Sequence, residues 1–326
     1  MDKVDWGNYN NSQMQEKLMF LELLEDLTSL IPDERKRRAG RPNMPLPEMA
    51  FAIVAKVYEC LSSRRSISDL EIAKRRGYLS RTPHFNTIIK YLNKPELIPI
   101  LKDLIRISAM PLSGFEETIA IDASGLSSAF YSRWVDYRFN KDVRVKDWIK
   151  VHVCCGVKTN IVTSIIVTDG HCADSPEFCQ LIEETAEGFK PTVVCADKGY
   201  SARKNMQTAW DLGIVPFIPY KSNATGRKFG SEAWRKMYHY FQYDREKFMQ
   251  IYHRRSNVES TFSMLKRKFQ NRLFSRKEVA QTNEALAKVL CHNIVVLIKE
   301  SGEHGFQIDF NASAHKLPSL HIKGRV

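Results

Sequence analysis

The chain has 326 residues, which is enough for two domains, one of them with a sizeable hydrophobic core. Lysine and arginine number 49 against 37 aspartate and glutamate, a formal net charge of +12. That excess is typical of proteins that bind nucleic acid, although a merely basic enzyme can share it.

Cysteine usage and hydropathy give the expected compartment. The seven cysteines are odd in number and include no C-x-x-C pair, which indicates free thiols in a reducing cytoplasm. His171, Cys172 and Cys179 fit no standard zinc spacing. No stretch approaches the roughly 20 apolar residues of a membrane span, and the N-terminus lacks the apolar core of a signal peptide. We therefore expect a cytoplasmic protein.

The first third of the chain has a helical pattern. Apolar residues recur at helical spacing over residues 14–30, and a second helix is predicted over residues 47–61. Between them lies a basic stretch whose Gly40-Arg41-Pro42 resembles the centre of an AT-hook, with a solvated basic linker as the alternative. The candidate DNA contacts in this stretch are Arg37, Arg38 and Arg41.

Two further predicted helices form a helix-turn-helix candidate over residues 66–93. Ser66 is predicted to cap the first helix and Gly77 to close it, while Pro83 suits the first turn of the second. This layout is typical of DNA-binding helix pairs, although a plain helical bundle has it too. If it binds DNA, the second helix presents to the major groove the side chains His84, Asn86, Thr87 and Lys90.

After Gly114 the pattern changes from helical to mixed. Strands are predicted over residues 118–122, 148–155, 161–167, 192–197 and 214–220. Helices are predicted over residues 175–186, 201–212, 232–269 in two pieces, and 283–299. An antiparallel hairpin followed by strand–helix alternation predicts an α/β fold with a ribonuclease-H-like mixed sheet and flanking helices.

The domain organisation follows from these patterns. An all-helical N-terminal DNA-binding region is expected over residues 1–112, and the ribonuclease-H-like catalytic domain over residues 113–302. Residues 303–326 are expected to form a polar C-terminal tail without periodicity.

Two acidic residues are predicted at strand ends. Asp122 ends the first predicted strand and Asp197 ends a later one. In an open α/β sheet, sites form at the carboxyl ends of the strands. A lone aspartate there is more often a turn or helix cap, so these two carry meaning only together with a third group.

The third group lies in the long C-terminal helical region. Tyr252, Arg255, Glu259 and Lys266 are spaced by three, four and seven residues, which places them within an arc of about 60° on a continuous helix. An apolar stripe lies beside them. One edge of this helix is therefore expected to pack on the sheet, and the neighbouring edge to present an acid, two cations and a phenol.

This mixture suits phosphodiester chemistry. Asp122, Asp197 and Glu259 supply the hard oxygen ligands that two Mg²⁺ ions need for an in-line displacement at phosphorus. The two cations of the helix can hold flanking phosphates, and Tyr252 can donate a hydrogen bond to a phosphate or stack on a base. Lys198, directly after the second acid, is a further candidate DNA contact.

The pattern Tyr-x2-Arg-x3-Glu-x6-Lys resembles the signature of bacterial and archaeal insertion-sequence transposases of groups four and five, which are DDE transposases. Ile-Asp-Ala-Ser-Gly-Leu126 and Ala-Asp-Lys-Gly-Tyr200 look like that group's two Asp motifs, and Asp169–Pro176 resembles the stretch between them. The resemblance covers about residues 115–300.

The resemblance implies cut-and-paste transposition with two Mg²⁺ or Mn²⁺ ions. It maps the catalytic acids and metal ligands onto Asp122, Asp197 and Glu259, and the DNA-end contacts onto the other three signature residues, Tyr252, Arg255 and Lys266. The implied partners are the double-stranded terminal inverted repeats and target DNA, bound by a homodimer in the synaptic complex, in a nucleoid-associated protein.

One departure and two rival functions remain. Some relatives carry a β-rich insertion between the second Asp and the Glu, and residues 198–258 leave little room for one, which puts a hairpin mechanism in doubt. A nuclease or resolvase of the same fold would cut DNA without joining it. A domesticated, non-catalytic DNA-binding protein is the rival from another class, and the intact acidic triad speaks against it.

Overall fold

The computed structural model describes residues 6–33, 43–128 and 148–322. The predicted basic contacts Arg37, Arg38 and Arg41 lie outside these ranges. The helices are α1 (Trp6–Met14), α2 (Glu16–Ser29), α3 (Leu46–Tyr58), α4 (Ile67–Arg75), α5 (Phe85–Leu92), α6 (Leu97–Ala109), α7 (Phe178–Ala186), α8 (Arg203–Asp211), α9 (Glu232–Tyr243), α10 (Arg245–Tyr252), α11 (Ser256–Phe269), α12 (Glu278–His304) and α13 (Phe310–Lys316). The strands are β1 (Thr118–Ser127), β2 (Trp148–Gly156), β3 (Val162–Asp169), β4 (Val193–Ala196) and β5 (Val215–Phe217).

The five strands form one mixed sheet in the order β3-β2-β1-β4-β5. β1 pairs antiparallel with β2, and β2 with β3. β4 and β5 then join in parallel on the other side of β1, reached by the crossover helices α7 and α8. This arrangement, an antiparallel meander extended by parallel strands, confirms the predicted ribonuclease-H-like fold.

Alternating side chains of β1 feed two separate cores. Ala120 and Leu126 face a core built from the N-terminal helices, α11 and α12, whereas Ile119 and Ile121 face a core built from α7 to α10. Both faces of the sheet are therefore covered, as expected when parallel strands have helical crossovers.

Helix α12 joins the N-terminal region to the sheet. It has 27 residues, most of them buried, and it packs against α1, α2, α3, α5 and α6 as well as β2 and β3. The buried Asn293 side chain donates hydrogen bonds to the carbonyl oxygens of Ile105 in α6 and Val162 in β3, at 3.2 and 2.8 Å. The N-terminal helices thus share one hydrophobic core with the sheet.

The predicted N-terminal helices form, but α1 and α6 were not predicted, and two details at helix ends are wrong. Pro83 precedes His84, the residue that caps α5, and so does not lie in the first turn of that helix. Gly77 closes α4 with a φ of +91°, a left-handed conformation that glycine adopts at little cost. Ser66, by contrast, has helical backbone angles, and its hydroxyl donates to the carbonyl oxygen of Ser63 instead of capping α4. The predicted cap at Ser66 is wrong because a tight turn already continues into the helix.

Two predictions about the C-terminal half are wrong. The region from Glu232 to Phe269 contains three helices and a 3-10 turn over His253–Arg255, not two pieces. The first break is at Asp244, whose side chain caps α10. The second is at the 3-10 turn, where the side chains of Arg254 and Arg255 bond to residues of β1. The segment after Gly302 is not the irregular polar tail that was predicted. It contains α13 and buries the apolar side chains of Phe310, Leu317, Leu320 and Ile322.

Among the described residues, no helix is both long enough and apolar enough to cross a membrane.

Candidate active site

Asp122 lies on the face of β1 that looks toward α11. β1 continues to Ser127, because the small residues after Asp122 go on pairing with β2, so the prediction that Asp122 ends the strand is wrong. The parallel ladder with β4, however, stops at Ile121 and Ala196. Asp122 and Asp197 are therefore the next residues on two adjacent strands, at the edge of the sheet where sites form.

The Asp122 carboxylate is held by two hydrogen bonds. Its Oδ1 accepts from the backbone N–H of Ala123 at 2.8 Å, and its Oδ2 accepts from Nη1 of Arg255 at 2.8 Å. Burial raises the pKa of Asp122 above its ordinary value despite these bonds, and the charges of Asp197 and Glu259 raise it further. Asp197 and Glu259 thus each lie close enough to Asp122 for their charges to act on it.

Asp197 begins a tight turn at the end of β4. Its Oδ1 accepts a short hydrogen bond from the N–H of Gly199 and so caps the 3-10 turn Lys198–Tyr200. A Cβ at Gly199 would lie 2.7 Å from that oxygen, so any larger residue here would displace the Asp197 carboxylate. Lys198 beside it is exposed to solvent.

A buried amide ties this turn to the preceding Asp174–Pro176 segment. Nδ2 of Asn205, in α8, donates to the carbonyl oxygen of Tyr200, and to the carbonyl and hydroxyl oxygens of Ser175, each at 3.0 Å. Asn205 is 3% exposed. A sequence pattern gave no signal for this contact, because Asn205 lies on a helix between residues of many types.

Glu259 lies in the first turn of α11 and is mostly exposed. Arg255 joins it to Asp122, since Nη2 of Arg255 makes a short hydrogen bond to Oε1 of Glu259 while Nη1 contacts Asp122. The carboxylate oxygens of the three acids do not all lie within 4.8 Å of one another. Among the described residues, a group whose possible metal-ligand atoms do lie within that distance of one another is Glu300, Glu303 and His304, at the end of α12.

The predicted stripe of side chains forms, but not on one continuous helix. Tyr252 ends α10 and Arg255 ends the 3-10 turn, where each residue advances by about 120° instead of 100°. Tyr252 is half-buried near Arg255, and burial raises the pKa of its phenol. Lys266 reaches β1 from the far end of α11 and donates to Oγ of Ser124 at 2.7 Å.

Three cations of this region contact one face of β1. Arg254 donates to Oγ1 of Thr118 at 3.3 Å, and the contacts of Arg255 and Lys266 follow further along the same strand. The sequence singled out the last two but not Arg254. Burial lowers the pKa of Lys266.

A buried histidine on the opposite face of the sheet was also missed. Nε2 of His152 lies 2.8 Å from Oγ1 of Thr168, and its Nδ1 lies 3.7 Å from Oδ1 of Asp174. Burial lowers the pKa of His152. A single polar residue inside the apolar run of β2 was the available signal.

The predicted N-terminal contacts lie on another element. His84 and Lys90 are both exposed on α5, which packs against α3 and α12. His84 caps that helix, its Nδ1 accepting from the N–H of Asn86 at 3.3 Å. The described structure brings neither residue into contact with the acidic site.

Residues 113–294, more than half of the chain, match the family model described as "Transposase DDE domain". The chain belongs to this family. It is a DNA transposase, and β1, β4 and α11, which carry the three acids, all lie within the matched residues.

No curated protein matches this transposase. A solved structure, the cryo-EM piggyBac transposase synaptic complex with hairpin DNA, is similar with a TM-score of 0.43 and 11% identity, over 95% of this chain and 81% of that chain.

Proposed function

We propose that this transposase cleaves DNA at transposon ends and joins the freed ends to target DNA. The observation that carries the proposal is the placement of Asp122 and Asp197 on adjacent parallel strands, with Glu259 on the helix that crosses the same edge. We further propose that the chain belongs to insertion-sequence groups four and five, on the signature from Tyr252 to Lys266.

Asp122, Asp197 and Glu259 are the residues that would hold divalent cations, Mg²⁺ or Mn²⁺. Carboxylate oxygens are the ligands these ions prefer. Burial raises the pKa of Asp122, and the charges of Asp197 and Glu259 raise it further, so a cation bound there would be favoured. A pair of such ions would activate the attacking oxygen and stabilise the leaving one. Arg255 joins two of the acids, so its guanidinium must move for Asp122 and Glu259 to share an ion.

The cations around the acids suit a DNA phosphate backbone. Arg255 and Lys266 reach the acidic face from opposite ends of α11, and Lys198 is exposed beside Asp197. We propose that these residues and Tyr252 contact the transposon end, with Arg255 exchanging a carboxylate for a phosphate of similar geometry.

The N-terminal region, residues 1–112, is proposed to read the terminal repeats, with catalysis in residues 113–302. α5 exposes His84 and Lys90, while α4 exposes Lys74, Arg75 and Arg76. Lys90→Ala should weaken terminal-repeat binding and reduce its salt slope by about one if Lys90 contacts a phosphate. A homodimer holding two ends is the proposed synaptic unit.

The test uses the full-length protein and a duplex containing the inverted repeat that borders the gene. Asp197→Ala should abolish Mg²⁺-dependent cleavage while duplex binding stays within a few fold. Asp169→Ala is the control, because Asp169 is an exposed acid at the end of another strand, outside the site. Retained cleavage in Asp197→Ala contradicts the site.

A second assay separates transposition from simple nuclease activity. A pre-cleaved transposon end with a free 3′-hydroxyl is incubated with plasmid target DNA and Mg²⁺. Joined product supports the proposal, whereas cleavage of intact ends without joining would identify a nuclease of the same fold.

A further inference from the structure

The turn that follows α11 is fastened by a buried ammonium. Lys288, on α12 and 2% exposed, donates from Nζ to three carbonyl oxygens: those of Phe269 at 2.8 Å, Gln270 at 2.8 Å and Arg272 at 2.7 Å. Gln270, the residue that follows α11, has a φ of +63°, so the helix ends there. Lys288 thus satisfies the last carbonyl group of α11 and two carbonyl groups of the turn that follows it.

A buried carboxylate one helical turn earlier holds the other half of the same turn. Glu284, 1% exposed, accepts from the N–H of Phe274 through Oε1 and from that of Ser275 through Oε2, both at 2.8 Å. We call Glu284 and Lys288 the α12 anchor. It fixes five backbone groups of one short turn, which apolar packing could not do, because such packing has no directional bonds.

The anchored turn in turn contacts β1, the strand that carries Asp122. The N–H of Ser127 donates to the carbonyl oxygen of Asn271, and the N–H of Leu273 donates to that of Ser127, both at 2.9 Å. At its other end α11 is tied to the same strand through Arg255. The helix that carries Glu259 is therefore fixed to β1 at both ends.

We propose that the α12 anchor is a positioning device for the active site: Glu284 and Lys288 set where α11 lies on β1, and so place Glu259 and Arg255 against Asp122. The proposal rests on the proposed catalytic role of these three residues. Neither Glu284 nor Lys288 touches the acids, so both act through the turn.

The chain offers a closely matched control in Lys56. This second buried ammonium, on α3 and 3% exposed, interacts with the same Glu284 and lies 5.4 Å from the ring of Phe274, yet the structure gives it no hydrogen bond to the turn. Lys288→Met and Lys56→Met each leave one buried lysine and one buried glutamate. The two variants therefore lose the same charge, and only Lys288→Met loosens the turn.

In the cleavage assay on the full-length protein, Lys288→Met should lower kcat about 10²-fold while the duplex Kd stays within threefold, because a displacement of about 1 Å at the reacting groups has that effect. Lys56→Met should stay within threefold on both. Equal loss in the two variants, or none in either, overturns the proposal.

Hydrogen exchange gives a readout that does not need activity. Lys288→Met should speed exchange of the Leu273, Phe274 and Ser275 amides at least tenfold, and Lys56→Met should not. If the wild type cleaves no DNA, the proposed function fails while this comparison still decides the anchor. If Lys288→Met does not fold, hydrogen exchange of the wild-type protein tests the proposal instead. Fast exchange of the Leu273, Phe274 and Ser275 amides would show that the turn is not held and would overturn the proposal.

Discussion

The guanidinium of Arg255 should compete with a divalent cation for the carboxylates of Asp122 and Glu259. Its Nη1 donates to Asp122 at 2.8 Å and its Nη2 to Glu259, so both carboxylates are engaged by one guanidinium that is 18% exposed. A hydrogen bond to a charged group contributes about 1.5–3 kcal/mol, and the bond to the mostly exposed Glu259 contributes less. Breaking the Asp122 bond should therefore weaken cation binding roughly 10- to 150-fold.

Arg255→Gln should consequently bind Mn²⁺ at least tenfold more tightly than the wild type in the absence of DNA, and still cleave DNA more slowly. Titration calorimetry measures the first effect and the duplex assay the second. Arg254→Gln is the matched control, since Arg254 contacts Thr118 and, among the residues that the structure describes, no carboxylate. Unchanged Mn²⁺ affinity in Arg255→Gln would refute the competition between guanidinium and cation.

Three further expectations follow from the geometry. Saturating Mn²⁺, at a hundredfold excess over its Kd, should raise Tm by about 4 °C. Asp197→Asn should remove that rise and Glu303→Gln should keep it. The reverse result would place the cation at the end of α12. Because burial raises the pKa of Asp122, the folded protein favours its protonated form, and stability falls as pH rises through that pKa. Asp122→Asn should thus melt no lower than the wild type at pH 7, with the difference gone below about pH 4; a clearly lower Tm at pH 7 would show that the lost Arg255 bond outweighs burial. Asn205→Leu leaves three acceptors without their donor, so it should lower the free energy of unfolding by about 1–3 kcal/mol and kcat at least tenfold. Cleavage at the wild-type rate would contradict a role of Asn205 in holding the Asp197 turn.

The sheet was predictable because its signals are local. Val193 to Ala196 is an apolar run too short for a helix, and the short connection over residues 156–160 predicts that β2 and β3 form an antiparallel hairpin. Because β4 lies beside β1 and runs parallel to it, the two acids that follow the shared ladder lie side by side. The sequence predicted the parallel direction of the two strands but not that they are neighbours, and β1 runs beyond Asp122.

Features that depend on tertiary contacts were not predictable in the same way. Helical periodicity assumes a continuous helix, and the turn at His253–Arg255 forms where side chains bond β1, which a single-sequence pattern does not contain. α6 was omitted, although Pro99 in its first turn and the buried Ile100 and Leu104 were readable signals. Glu284 and Lys288 are four residues apart on one helix, a spacing typical of an exposed ion pair, so the sequence gives no sign that both are buried against a turn.

The effect of DNA on cation binding and the effect of the cation on DNA binding must be equal, and the Arg255 contact predicts their sign. If a DNA phosphate draws the guanidinium away from Asp122, DNA makes cation binding easier, and the cation must then tighten DNA binding by the same factor. The duplex Kd, measured with and without Ca²⁺ to avoid cleavage, should fall about tenfold when the cation is present. In Arg255→Gln the two ligands should bind independently apart from general charge screening, which Arg254→Gln reports. A cation effect of the same size in all three proteins would show that the coupling arises from bulk electrostatics and not from this side chain.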